Sequence, residues 1–314
     1  MGPPYSWFQS LARAEFLAAH VSRFYPWAIG IAALISGHLL NGCMIKGAGE
    51  AVAKIVTVGN PFLWSCILVV ASIFVIGRNV YNTIEKGMKL LLAMMTVVFL
   101  GLAIYSVPDV GELIQGTIGF GIPANTGVFG ISAAIVISLS IWVVGAEILR
   151  PQGIQVSSLD DISQALTIHL GAFGGVIFYL GAFGILYSSV IGFANGFPKV
   201  IIDCLHIILP SRREQYGTKF EDDPLFKWFS LFILISPILW SVPGTPGFVE
   251  MAVFVTGLQA IIVPLVAIGL LILANKTSHF GKHKVNLFVN IILVATTLLT
   301  IWVTIQVLIG WFAG

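Results

Sequence analysis

His38, Asn41, Ser188, Ser189, Asn195 and Gln259 are polar side chains set inside long apolar runs. They offer an imidazole nitrogen, two hydroxyls and three amides. Oxygen donors of this kind suit hard divalent cations such as Mg²⁺ or Mn²⁺. Polar groups at membrane depth are costly, and they mark either ion paths or interhelical hydrogen bonds. His38 and Asn41 lie about one helical turn apart, so they share a face and fit either role. Ser188, Ser189 and Asn195 sit in a run rich in glycine, where small residues let neighbouring helices approach closely. Gln259 precedes Pro264 by five residues. Proline deletes one helical hydrogen bond and can kink the helix. A buried amide beside that break either binds an ion or caps the freed carbonyl.

The elements that must carry these residues follow from composition. The chain has 314 residues, 57% hydrophobic and 10% charged, with a mean hydropathy of +0.97. Soluble domains carry about 25% charged residues, and one this apolar would expose large adhesive patches. Lipid is the expected surrounding, in a multi-pass protein of the cell membrane. A net charge of +2 gives no reason to expect nucleic acid as a partner. Cys43, Cys66 and Cys204 have no metal-ligand spacing, and no cofactor is expected. Nucleophile-elbow, zinc-protease and phosphate-loop motifs are all missing from the sequence, so an enzyme is not expected. The adjacent carboxylates Asp160-Asp161 and Glu221-Asp222-Asp223 read as solvated or helix-capping.

A crossing helix needs about 20 apolar residues, and backbone groups in lipid must be paired internally. Eight helical spans are expected, roughly at 25–45, 61–77, 89–107, 128–149, 166–196, 226–243, 248–274 and 285–312. The fold class is therefore all-α, with a single polytopic transmembrane domain over 25–314. Residues 1–24 read as an amphipathic surface helix. Lys46, Glu50 and Lys54 read as a solvated stripe at four-residue spacing.

Basic loops at 78–89, 198–227 and 276–284 should face the cytoplasm. Two spans separate the second from the third, as required. Three separate the first from the second, and an odd number puts these two loops on opposite faces. Charge parity therefore asks for one further crossing.

The motif Leu180-Gly-Ala-Phe-Gly-Ile-Leu-Tyr-Ser-Ser-Val-Ile-Gly192 resembles the eighth helix of the Nramp divalent-metal transporters, in particular their divergent, magnesium-type relatives. Gly145-Ala-Glu-Ile-Leu-Arg-Pro-Gln-Gly-Ile-Gln-Val-Ser-Ser158 resembles the end of that family's seventh helix and the loop after it. Gly257-Leu-Gln-Ala-Ile-Ile-Val-Pro264 and Leu273-Ala-Asn-Lys276 resemble its tenth helix and the following loop. The resemblance implies a leucine-transporter-like fold, in which two inverted repeats enclose a metal at the bilayer midplane.

On that alignment the chain lacks counterparts of helices one, two and six, with helix six falling between 127 and 129. A span restored there repairs the charge parity and makes 150–165 external. The resemblance assigns Gln259 to the metal and matches Ser188 and Ser189 to the polar pair of the eighth helix. It puts Asn41 where typical members carry an acidic residue used in proton coupling, and an amide cannot carry a proton. The implied function is transport of Mg²⁺ or Mn²⁺, with the divalent ion as substrate and the chain possible as an internally deleted, inactive form. The alternatives are an organic-solute or amino-acid symporter on the same fold and a non-transporting scaffold subunit.

Overall fold

The computed structural model describes residues 24–75, 93–94, 96–98, 100–101, 104–105, 148–149, 151–275 and 287–313. Every regular element among them is helical. In chain order these are α1 (Tyr25–Val56), α2 (Pro61–Val75), α3 (Leu159–Leu170), α4 (Ala172–Ile208), α5 (Pro210–Tyr216), α6 (Pro224–Ile235), α7 (Phe248–Asn275) and α8 (Leu287–Ala313). Short 3₁₀ turns occupy Phe220–Asp222 and Ser236–Ser241. Among the described residues, five stretches are long and apolar enough to cross a membrane: Tyr25–Val56, Ala172–Ile208, Pro224–Ser241, Phe248–Ile272 and Leu287–Gly310. Pro61–Phe74 is a shorter apolar helix. The expected surface helix at 1–24 and most of the spans at 89–107 and 128–149 lie outside the described residues, as do Glu147 and Arg150.

Two boundaries differ from the sequence expectation for identifiable reasons. The expected span 166–196 is two helices broken at Gly171, which adopts φ +61, a conformation that disfavours a Cβ. Ser158 and Asp161 form a reciprocal capping box at the start of α3, which satisfies two orphan donors. The first span runs eleven residues past its expected end at 45, to Val56. The reason is Lys46, which is not solvated. It is 8% exposed and its ammonium donates to the Trp240 carbonyl, the Thr245 carbonyl and Thr245 Oγ1. The turn after Ser241 leaves carbonyls without helical donors, and a lysine brings three N–H groups to them.

The chain divides into two compact units. The first comprises Met1–Cys43, Ile191–Leu239 and Met251–Gly314. Its core is Ala33 of α1, Ile201 of α4 and Ile233 of α6, with Leu34, Phe197, Leu205 and Phe229 packed around them. Lipid supplies no hydrophobic drive between helices, so packing and interhelical hydrogen bonds hold them. Within this unit α7 and α8 are pinned by the reciprocal amide pair Asn275–Asn290, at 2.8 and 2.6 Å. At the end of α4, Asp223 is fully buried and accepts from Arg212 Nη2 at 2.7 Å, from His206 Nε2 at 3.1 Å and from the Leu225 amide at 2.9 Å. Asp223 thereby caps α6 and ties it to α4 and α5.

The second unit comprises Met44–Val190 and Trp240–Glu250. Its α1 segment meets α2 at Gly49, where a Cβ would lie 2.6 Å from the Pro61 carbonyl oxygen. Only glycine fits that approach. Ser72 of α2 donates to Tyr187 of α4 at 3.2 Å. Lys54 at the end of α1 forms an ion pair with Asp160 of α3, and Tyr179 of α4 donates to the same carboxylate. The end of α1 and the start of α3 thus lie at one end of this unit.

Candidate metal site

Gln259 sits mid-way along α7, one turn before the buried Pro264. Pro264 has no N–H to give the Ala260 carbonyl, its partner four residues back. A capping amide was one of two sequence readings for Gln259. The structure overturns it, because the hydroxyl of Thr304 on α8 is the donor at the Ala260 carbonyl, shared with the Thr300 carbonyl of its own helix. Gln259 faces a cavity of about 230 Å³ between α1, α4 and α7. Ser36 is the other polar residue on its wall; Ala33, Phe197, Val200, Ile262 and Val266 are among the apolar ones.

The other candidates are distributed as follows. Asn195, on α4 in the same unit, donates its amide to the Ile191 carbonyl one turn back at 2.9 Å. Ser188 and Ser189 belong to the second unit, and both hydroxyls donate to the Ile185 carbonyl, at 2.8 and 2.9 Å. Such back-bonding spends each hydroxyl proton on its own helix, but the oxygen lone pairs still accept. Close packing, the expected role of the small residues in this helix, accounts for Gly174, whose Cβ would fall 2.4 Å from the Leu166 carbonyl oxygen. It does not account for Gly192 or Gly196, which have no heavy atom of the described residues within 4 Å.

His38 and Asn41 do share a face of α1, and both engage α6. His38 Nδ1 lies 2.8 Å from Ser236 Oγ. Ser236 donates its single hydroxyl proton to the Phe232 carbonyl at 2.6 Å, so the ring Nδ1 is the donor to it. Asn41 is fully buried and donates Nδ2 to the Ile233 carbonyl at 2.8 Å. Its Oδ1 has no hydrogen-bond partner among the described residues. Among the same residues, no three His, Cys, Asp or Glu side chains converge as a metal cluster. The candidate residues carry neutral amides, hydroxyls and one imidazole, which match a hard, oxygen-preferring ion better than a thiolate-seeking one.

Ser36 and the Thr304–Ala260 bond drew no expectation at all, and for His38 and Asn41 only the shared face and the choice between an ion path and interhelical hydrogen bonds were expected. The Thr304 bond was in principle legible, since a proline inside a span always leaves one carbonyl for a neighbour. Nothing in the sequence says which neighbour.

No curated protein matches the chain. Residues 126–310, more than half of the 314, match the Nramp family, described as natural resistance-associated macrophage protein-like. The matched stretch contains Ser188, Ser189, Asn195 and Gln259, while His38 and Asn41 precede it. With its all-helical architecture and five apolar helices of crossing length, this chain belongs to the Nramp family of multi-pass membrane transporters of metal ions.

Proposed function

We propose that the chain binds a divalent cation of the Mg²⁺ or Mn²⁺ class at membrane depth and that Gln259 is its principal side-chain ligand. The observation that carries this reading is the relief of Gln259 from structural duty. Thr304 takes the carbonyl freed by Pro264, and the Gln259 amide is left facing a cavity with Ser36. An amide oxygen in an apolar enclosure is costly without a partner. A partly dehydrated hard cation that keeps several waters would satisfy it. Asn41 Oδ1 is a second buried acceptor able to receive a water or ion. Asn195 and His38 of the same unit are further ligands in this proposal, through an amide oxygen and a ring nitrogen.

We further propose that the chain lacks one crossing near residues 127–129 relative to transporting members, so that binding outlasts transport. Charge parity of the basic loops supports this. The test is uptake of Mg²⁺ and Mn²⁺ into liposomes by the chain, alongside a version carrying a full additional span at 128. Saturable uptake that appears or rises with the added span is the expected result. No divalent flux from either version contradicts the transport reading.

A further inference from the structure

Membrane prolines break a hydrogen-bond ladder that has no water to repair it. Among the described residues two such breaks are repaired across helices. One is Pro264, whose orphaned Ala260 carbonyl receives Thr304. The other lies in α6. Pro237 follows the end of that helix and opens the 3₁₀ turn Ser236–Ser241. Four residues before it stands Ile233, whose carbonyl would have bonded the amide that proline lacks. That carbonyl is where Asn41 Nδ2 donates, at 2.8 Å.

We propose that Asn41 is a positioning residue. It supplies the hydrogen bond that Pro237 cannot make and so fixes the break of α6 against α1. His38 holds the next turn of the same seam through Ser236. The pairing runs antiparallel, with His38 opposite Ser236 and Asn41 opposite Ile233. Both members of the Asn41 bond are buried, Ile233 at 0% exposure. Gly37, immediately before His38, lets α1 close on α6, since a Cβ there would meet Ile233 Cδ1 at 3.0 Å. The role demands a donor rather than a charge. An aspartate at 41 would set a carboxylate oxygen against the Ile233 carbonyl oxygen, whereas an ion path would gain from it. An amide at this position is therefore a requirement of the neighbouring proline.

The test is a double-substitution cycle in detergent-solubilised full chain, read by thermal unfolding. Asn41→Leu is expected to lower Tm. In a Pro237→Ala background, where the alanine amide can bond Ile233, the same substitution should lower Tm far less. Asn41→Asp should be destabilised at neutral pH and recover on acidification, as its protonated carboxyl becomes a donor. Should Asn41→Leu alone fail to fold, recovery of folded protein in the double variant reads the same rescue. Equal losses in both backgrounds, a double variant that stays unfolded, or an Asn41→Asp chain as stable as wild type at neutral pH would each overturn the proposal.

Discussion

The hydroxyl of Thr304 on α8 bonds the carbonyl of Ala260 on α7, the acceptor that Pro264 leaves without a donor. Most of α8 is exposed, Leu298, Leu299 and Trp302 included, so few contacts hold it to α7. Removing the hydroxyl by Thr304→Val should cost about 1 kcal/mol, typical of an interhelical bond in lipid. Thr304→Ser should retain the bond. Gln259→Leu should leave Tm unchanged, because Gln259 does not share this task. Thermal unfolding of the three variants reads all of this, and a Gln259→Leu loss equal to that of Thr304→Val would restore the capping role to Gln259.

Burial pushes the Asp223 carboxyl up, but hydrogen bonds from Arg212, the Leu225 amide and His206 outweigh it and hold the group below its ordinary value of 3.8. A carboxylate lowered on folding contributes stability above its unfolded pKa, and that contribution fades as pH falls through the lowered native value. Asp223→Asn should therefore be destabilised at neutral pH, and the gap to wild type should shrink as pH drops below about 3.8. Arg212→Leu should cost on the order of 3 kcal/mol, by leaving a buried carboxylate short of its charge partner. A wild-type-to-variant gap that grows on acidification would contradict this.

The Lys54–Asp160 ion pair joins the end of α1 to the start of α3. Cysteines introduced as Val58→Cys and Gln155→Cys, in a background with Cys43, Cys66 and Cys204 replaced, leave that pair intact. Both exposed positions should react with a membrane-impermeant maleimide from the same side of sealed vesicles. Labelling from opposite sides would contradict the ion pair and mark an odd number of crossings between the two positions.

The helical, membrane-bound architecture was legible because apolar runs of crossing length leave few other solutions in lipid. Helix ends were less so. Gly171 looked like one more small residue in a packed stripe, yet it ends α3 and separates it from α4. Lys46 looked like a solvated charge, because the carbonyls of Trp240 and Thr245 that receive it lie about two hundred residues away. The candidate site was legible as a set of residue types and not as an assembly. Gln259 was singled out correctly as lying beside a proline break, but its two readings could be separated only by finding Thr304 on the freed carbonyl. His38 and Asn41 share a face, as the spacing required. The partners of that face, Ser236 and Ile233, depend on how α6 breaks at Pro237.

Gln259 as a ligand for a hard divalent ion is tested most directly by equilibrium binding of Mn²⁺ to the purified chain in lipid nanodiscs, followed by the loss of the free-ion paramagnetic signal. Wild type should bind saturably, with Mg²⁺ competing, and Gln259→Leu should bind at least about tenfold more weakly at unchanged Tm. Absence of saturable binding, or equal affinity in the variant, would contradict the account.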